Sequence, residues 1–523
     1  MDAPTEIPID GHSLTLEAVE EVARAAPGTL HLFLDDDAAG RMRASRATID
    51  RLIGSGEPVY GMTTGFGRLA EVVIAPEDRS ALQHNLIRSH ASGVGEPLPR
   101  ECVRAIMLLR ANALARGHSG CRTRLVERLL HMLDRGVHPV IPEFGSVGAS
   151  GDLAPLAHVA LSLLGAGQAE MGGEQRAMDE ILADVGLAPI ELGPKEGLAL
   201  INGTQATTAL GVLALLAAER ALDTAEASGA MSVEALLGTP EAFRPEIQAA
   251  RPHAGQAVSA ARLRALIAGS EIRESHRVGD PRVQDAYSLR CIPQVHGAAR
   301  AALGHARGIL EVEVNSATDN PLVFPVAEGR SGESREVLSG GNFHAQIVAQ
   351  ALDLLAIAVA DVASMCERRV ERLINPDLSL GLPAFLARRP GLESGLMVAQ
   401  VVVADLLSEM RVLAHPASVD SVPTSAGQED HVAMGLAAAR KARRAVSCLE
   451  RILAAELLCA AQGIDYRRPL RSSDAVEEVH ALVRSRVAAL AGDRSLTADL
   501  EALADLVASG AIAGITRGAG GGS

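Results

Sequence analysis

The run Gly145-Ser146-Val147-Gly148-Ala149-Ser150-Gly151-Asp152-Leu153-Ala154-Pro155-Leu156 can turn the backbone itself into an electrophile. If the Gly151 nitrogen is pressed onto the Ala149 carbonyl carbon, ring closure and loss of two waters convert Ala149-Ser150-Gly151 into a 4-methylidene-imidazol-5-one. Gly151 offers the least hindered nitrogen and the widest backbone freedom. Ser150 is the β-hydroxy residue whose dehydration leaves an exocyclic methylene, and Ala149 keeps the ring small. Planar amides resist such bending, so packing elsewhere in the chain must supply the strain. The competing reading is an ordinary Gly/Ser turn that ends in a helix cap.

Other segments hold polar groups beside flexible backbone. In Val59-Tyr60-Gly61-Met62-Thr63-Thr64-Gly65-Phe66-Gly67, one of only three tyrosines sits next to glycines. Tyr60 can serve as a base if its phenol, which titrates near about 10 when free, is lowered or its proton relayed; otherwise it anchors a loop. His84 and His90 share one helix, six residues apart, which is not a metal-ligand spacing; His90 can also cap that helix. Asn202, in Leu200-Ile201-Asn202-Gly203-Thr204-Gln205, offers both a donor and an acceptor, or simply belongs to a turn before the cap Thr204. In Val283-Gln284-Asp285-Ala286-Tyr287-Ser288-Leu289-Arg290-Cys291-Ile292-Pro293-Gln294, Tyr287 and Arg290 lie three apart. On one helical face the guanidinium can clamp a carboxylate beside the phenol; pairing of Arg290 with an internal acid is the alternative. Asn320 precedes Pro321 as a polar partner or an Asx-turn, and Phe343 is a ring contact or a core anchor. Glu429 can meet an imidazolium, or it can stand with Asp430 as an acidic helix start.

These residues must be positioned by helices. The 523 residues are 48% hydrophobic but include only seven Phe, three Tyr and no Trp, so Ala, Leu, Val and Ile must fill the core, a composition that favours long, closely packed helices. Helical periodicity is expected over 14–26, 37–54, 78–91, 100–115, 122–135 and 154–164, then a looser insertion over 165–194 with a hairpin at Gly172-Gly173 and a helix over 176–185. Beyond 203, long helices are expected over 204–230, 255–268, 283–314, 342–372, 396–414, 429–461 and 472–491. The reading is an all-α chain with an N-terminal domain over 1–200 carrying the reactive loop, a long-helix bundle over 201–517 and a disordered tail over 518–523. A net charge of -15 without a basic run argues against nucleic acid. Six scattered cysteines suit a reduced, cytoplasmic chain, with no metal cluster implied. The start of the chain lacks an apolar signal core, and its apolar runs read as too short or interrupted for a membrane span.

Taken together, the motifs resemble the histidine and aromatic amino acid ammonia-lyase family over residues 10–510. The Ala-Ser-Gly run is similar to the one from which that family builds its prosthetic group. The Tyr60 loop resembles Tyr-Gly-x-Asn-Thr-Gly-Phe-Gly with Thr63 in place of Asn, and the segment from Gln284 to Gln294 resembles the histidine-specific version almost continuously. The resemblance implies a fumarase/aspartase-like fold, no external cofactor, and elimination of ammonia from L-histidine to give trans-urocanate. It casts Tyr60 as the base, Ala149, Ser150 and Gly151 as the electrophile, and Asn202, Tyr287 and Glu429 as further catalytic groups. It casts His90, Gln284, Arg290, Asn320 and Phe343 as substrate contacts. It also implies a homotetramer in which several subunits complete each site. Thr63, and Gln346 where the family more often has Glu, keep a tyrosine or phenylalanine ammonia-lyase or 2,3-aminomutase open. An inactive homologue that only binds a small molecule is the remaining alternative.

Overall fold

The helix Arg100–Ala115 is buried from Cys102 through Ala115, the pattern of a helix at the centre of a core. The computed structural model describes residues 4–55, 62–67, 71–325 and 336–520, and helices dominate it as the composition predicts. The chain divides into two compact units. The first comprises Met1–Leu213, Arg307–Leu352 and Pro416–Arg440; the second comprises Ala214–Ala306, Asp353–His415 and Lys441–Ser523. The division therefore differs from the expected break at residue 200. Four of its five boundaries fall inside Gln205–Ala235, Ile292–Glu313, Gln346–Ile374 and Gly435–Asp465, because helices of this length supply residues to more than one core; the fifth, between His415 and Pro416, follows the helix Met397–Leu413.

In the first unit, Leu16–Arg24 starts where the Thr15 hydroxyl accepts from the Ala18 amide at 3.1 Å, and it buries Leu16, Val19, Val22 and Ala23 on one face. This helix and Thr123–Asp134 flank Arg100–Ala115. A parallel pair, Thr5–Ile9 with Leu30–Leu34, was not expected from the sequence. The hairpin at Gly172-Gly173 is present, with Gln168–Met171 against Glu174–Ala177 and both glycines at positive φ, as a two-residue turn requires. The helix that follows spans Met178–Asp184.

In the second unit, Ala254–Leu266 packs against Ala511–Gly520. Its interior holds the ion pair of Arg369 with Glu456, both side chains at 0% exposure, while the buried Asp223 pairs with the part-buried Arg262 and Arg300 and with the exposed Arg517. The terminal helix runs through Gly520 where a disordered tail was expected from 518; residues 521–523 lie outside the described residues. Gln346–Ile374 corrects the expectation about apolar runs. By length and composition alone it could cross a membrane, yet 56% of its most apolar window is buried, as in a core helix.

Glu234, at the end of Gln205–Ala235, is 2% exposed and accepts hydrogen bonds from Ser270 and Ser472. Burial pushes its carboxyl from 4.5 up to about 7. Below 4.5 the group is protonated in folded and unfolded chains alike. As pH rises through about 7 the folded state must hold a buried charge and loses that stability. At about 1.4 kcal/mol per pKa unit, the loss is on the order of 3 kcal/mol. Glu234→Gln is therefore expected to flatten the fall in thermal midpoint between pH 5 and pH 8, and an unchanged slope would remove this assignment.

Candidate active site

Asp152 anchors the reactive loop. Its carboxylate, at 0% exposure, accepts from the Ser146 hydroxyl at 2.8 Å, the Thr207 amide at 2.7 Å and the Thr207 hydroxyl at 2.9 Å. Burial pushes its carboxyl up while these donors oppose the shift. The Asp152 amide donates to the Gly203 carbonyl at 2.7 Å, and the Met434 amide donates to the Val147 carbonyl at 2.7 Å. Ala149-Ser150-Gly151 is thus held at both ends.

Gly151 has φ +75 and lies in a parallel bridge with Gly203. A Cβ on Gly151 would run into the backbone of Gly203, so only glycine fits. Behind this contact, Thr204 donates to Glu313 at 2.5 Å, and burial pushes the Glu313 carboxyl up. Asn202 donates through Nδ2 to the Ser150 carbonyl at 2.9 Å. Its buried Oδ1 receives no hydrogen bond among the described residues. The Ser150 hydroxyl donates to Glu429 Oε1 at 2.6 Å, and Thr424 donates to Glu429 Oε2 at 2.7 Å.

Ser150, Asn202 and Glu429 open onto a cavity of about 550 Å³ that is also lined by His90, Asn320 and Phe343. Most of its remaining wall is apolar, with Leu82 and Leu86 one turn apart on Arg79–His90. His90 Nδ1 lies 2.9 Å from the Leu86 carbonyl. A proton on Nδ1 satisfies that carbonyl and leaves Nε2 as an acceptor. Asn320 Oδ1 accepts from the Gly340 amide at 2.8 Å, which leaves its amide nitrogen as the available donor. The neighbouring Asp319 is paired with Lys195 at 2.6 Å, with side chains 1% and 0% exposed.

The structure does not bring the other expected site residues to this cavity among the described residues. Tyr60 lies outside the described residues. Gln284, Tyr287 and Arg290 belong to the second unit and line a different cavity, of about 420 Å³, together with Arg282 and Arg372. Tyr287 and Arg290 do share a helical face in the short helix Tyr287–Arg290. The guanidinium carbon stands 4.5 Å from the ring centroid, and Tyr287 is 70% exposed. No carboxylate pairs with Arg290 among the described residues, and its Nε has no hydrogen-bond partner there.

Glu429 is not a helix start. The helix begins at Gly435, and Glu429 sits in a loop closed by reciprocal backbone bonds with Thr424. Sequence reasoning also passed over Asp152, Asn85 and Ser425. The spacing of Leu82, Asn85, Leu86 and Ser89 at one, four, five and eight is a helical face that could have revealed one wall.

These residues fit a prosthetic ring made from 149–151. The serine hydroxyl faces a cavity, a glycine backbone occupies the space any side chain at 151 would need, and an amide with an unused buried oxygen holds the Ser150 carbonyl. Residues 14–485 match the family described as aromatic amino acid lyase. A histidine ammonia-lyase of Anaeromyxobacter sp. (strain K) is 55% identical over 512 residues, covering 96% of this chain and 99% of that one. Among solved structures, histidine ammonia-lyase from Trypanosoma cruzi matches with a TM-score of 0.90 at 44% identity, over 98% of this chain and 96% of that one. Tyrosine aminomutase from Streptomyces globisporus matches with a TM-score of 0.90 at 39% identity, over 98% of both chains. With its fold, its reactive loop and nearly its whole length accounted for, the chain belongs to the aromatic amino acid lyase family.

Proposed function

We propose that this chain is a carbon–nitrogen lyase that eliminates ammonia from L-histidine to give trans-urocanate. The observation that carries the reading is the 2.6 Å contact of Ser150 Oγ with Glu429 Oε1 inside the cavity that His90 also lines. It puts an acid beside the reactive serine, where a basic imidazole or amino group can pair with it. The histidine ammonia-lyase relatives support the same substrate. A 4-methylidene-imidazol-5-one formed from Ala149-Ser150-Gly151 supplies the electrophile that activates the substrate.

The chain's own groups do the rest. Asn202 holds the Ser150 carbonyl, His90 Nε2 accepts from the substrate ring, and Phe343 packs against it. The Asn320 amide nitrogen donates to the substrate carboxylate. Tyr60 takes the β-proton, the Cβ–H electrons form the new double bond, and the Cα–N bond breaks as ammonia leaves. Arg290 clamps the carboxylate, Tyr287 supports the amino group and Gln284 reaches the ring from a second copy of the chain, since within one copy they line another cavity. The assembly we infer is a homotetramer with composite sites, and the location cytoplasmic.

The apolar wall of the cavity and the tyrosine aminomutase match favour a second reading, a tyrosine or phenylalanine ammonia-lyase or 2,3-aminomutase. The deciding experiment offers L-histidine, L-tyrosine and L-phenylalanine separately to the purified oligomer, with products identified by mass and ultraviolet absorbance. Urocanate and free ammonia from histidine are expected; cinnamate-type acids or β-amino acids would replace this assignment with the second reading.

Ser150→Ala is expected to fold, to lose at most the one water of ring closure because it has no hydroxyl to eliminate, and to lose on the order of a thousandfold or more in turnover. Near-normal turnover in that variant would eliminate the electrophile. Glu429→Gln is expected to lower histidine turnover by roughly tenfold or more while sparing tyrosine turnover by comparison. Equal losses, in protein whose intact mass shows complete cyclisation, would assign Glu429 a general role instead of ring recognition.

A further inference from the structure

Arg110 is fully buried on the core helix Arg100–Ala115 and does no work in the elimination itself. Its Nη1 donates to the Asn202 carbonyl at 2.8 Å and to Gln205 Oε1 at 3.0 Å. Gln205 Nε2 in turn donates to Thr318 Oγ1 at 2.8 Å. Among the described residues its Nε and Nη2 have no hydrogen-bond partner, so the cation is buried without the full set of bonds that would offset its desolvation. Such a group is a poor choice for stability alone.

Its position suggests another use. A Cβ built on Gly203 would meet Arg110 Nη1 at 2.9 Å, Thr318 Oγ1 at 2.7 Å, and Gln205 Oε1, so Gly203 has no room to retreat. On its other side Gly203 abuts Gly151 backbone to backbone. The order from core to reactive loop is Arg110 with Gln205 and Thr318, then Gly203, then Gly151. The ends of the loop cannot give way, because Asp152 and Val147 are tied to Gly203, Thr207 and Met434.

We infer that Arg110 is a positioning residue for ring formation: with Gln205 and Thr318 it backs the 202–205 turn, which presses the Gly151 peptide toward the Ala149 carbonyl as the chain folds. The inference rests on the proposed function, in which the tripeptide cyclises. The Gly151 nitrogen forms a bond to the Ala149 carbonyl carbon. The carbonyl oxygen leaves as water, taking the protons of the Gly151 and Ser150 amides, as the Ala149 carbon forms a double bond to the Ser150 nitrogen. Ser150 then loses Oγ with its proton and the Cα proton as the second water, leaving a Cα=Cβ bond. No oxidant or reductant is needed. Bending a planar amide costs energy that grows roughly as the square of the distortion, so a rigid support behind Gly203 is what lets folding drive the attack.

Arg110→Lys keeps the charge but lacks the terminal Nη1 that donates to both the Asn202 carbonyl and Gln205, and Thr318→Val removes the far support with almost no change of shape. Both variants would be made by cell-free synthesis, checked for folding by circular dichroism and size exclusion, and followed by intact mass over time. The expected result is folded protein that loses its two waters roughly tenfold more slowly than the wild type, with turnover per cyclised chain within about twofold of the wild type. Wild-type cyclisation rates in the folded variants would overturn the role of Arg110. If Arg110→Lys does not fold, the rate in Thr318→Val decides alone. A wild-type chain that never loses two waters would instead overturn the proposed function, so the two failures are distinguishable.

Discussion

The backbone contact between Gly151 and Gly203 is the constraint on which the site depends. Two peptide planes approach where any side chain would hold them apart, and each of the surrounding polar anchors serves that approach. Asp152 uses its amide on Gly203 and its carboxylate on Thr207, so one residue fastens the reactive loop to both the turn and the start of the Gln205–Ala235 helix. Asn202 reaches back from the same turn to the Ser150 carbonyl. A loop closed on itself by small residues would relax; this one is closed on a turn that is backed by the core.

Burying so many charged and polar groups is costly, and their pairing shows how each unit tolerates it. Lys195 with Asp319, and Arg369 with Glu456 and its serine donors, are buried pairs whose attraction offsets desolvation. Losing one partner of such a pair typically costs about 3–5 kcal/mol, whereas apolar replacement of both can be neutral. The Lys195–Asp319 pair therefore reads less as a source of stability than as a fixed point for Asn320, the next residue, at the cavity wall. Asp152 and Glu313 differ: among the described residues Asp152 accepts from hydroxyls and a backbone amide and Glu313 from the Thr204 hydroxyl, all neutral donors, and burial pushes both carboxyls up.

Much of the fold was legible locally. The helix expected over 100–115 is Arg100–Ala115, and the Gly172-Gly173 hairpin needed only its turn chemistry. The expected helix over 283–314 is broken into Tyr287–Arg290 and Ile292–Glu313. Pro293 was the available signal, because a residue without an amide hydrogen belongs in the first turn of a helix. The pairing of Thr5–Ile9 with Leu30–Leu34 could not be read in the same way. Parallel strands depend on a partner beyond the helix Leu16–Arg24, and neither five-residue strand carries that partnership in its own pattern.

For the site, residue type and order alone pointed to the proposed chemistry: a dehydratable serine between alanine and glycine, with flanking motifs that resemble those of an ammonia-lyase. They also determined the helical class, because an Ala- and Leu-rich chain with few aromatics has little else with which to fill a core. Tertiary structure decided which candidates meet. It brought Ser150, Asn202, Glu429, His90, Asn320 and Phe343 to one cavity, left Gln284, Tyr287 and Arg290 at another, and took Glu429 off a helix and into a loop. The reason is physical. Electrophile chemistry is written in covalent connectivity, which the sequence contains, whereas convergence depends on contacts between residues as distant in the chain as Ser150 and Glu429, which only packing creates.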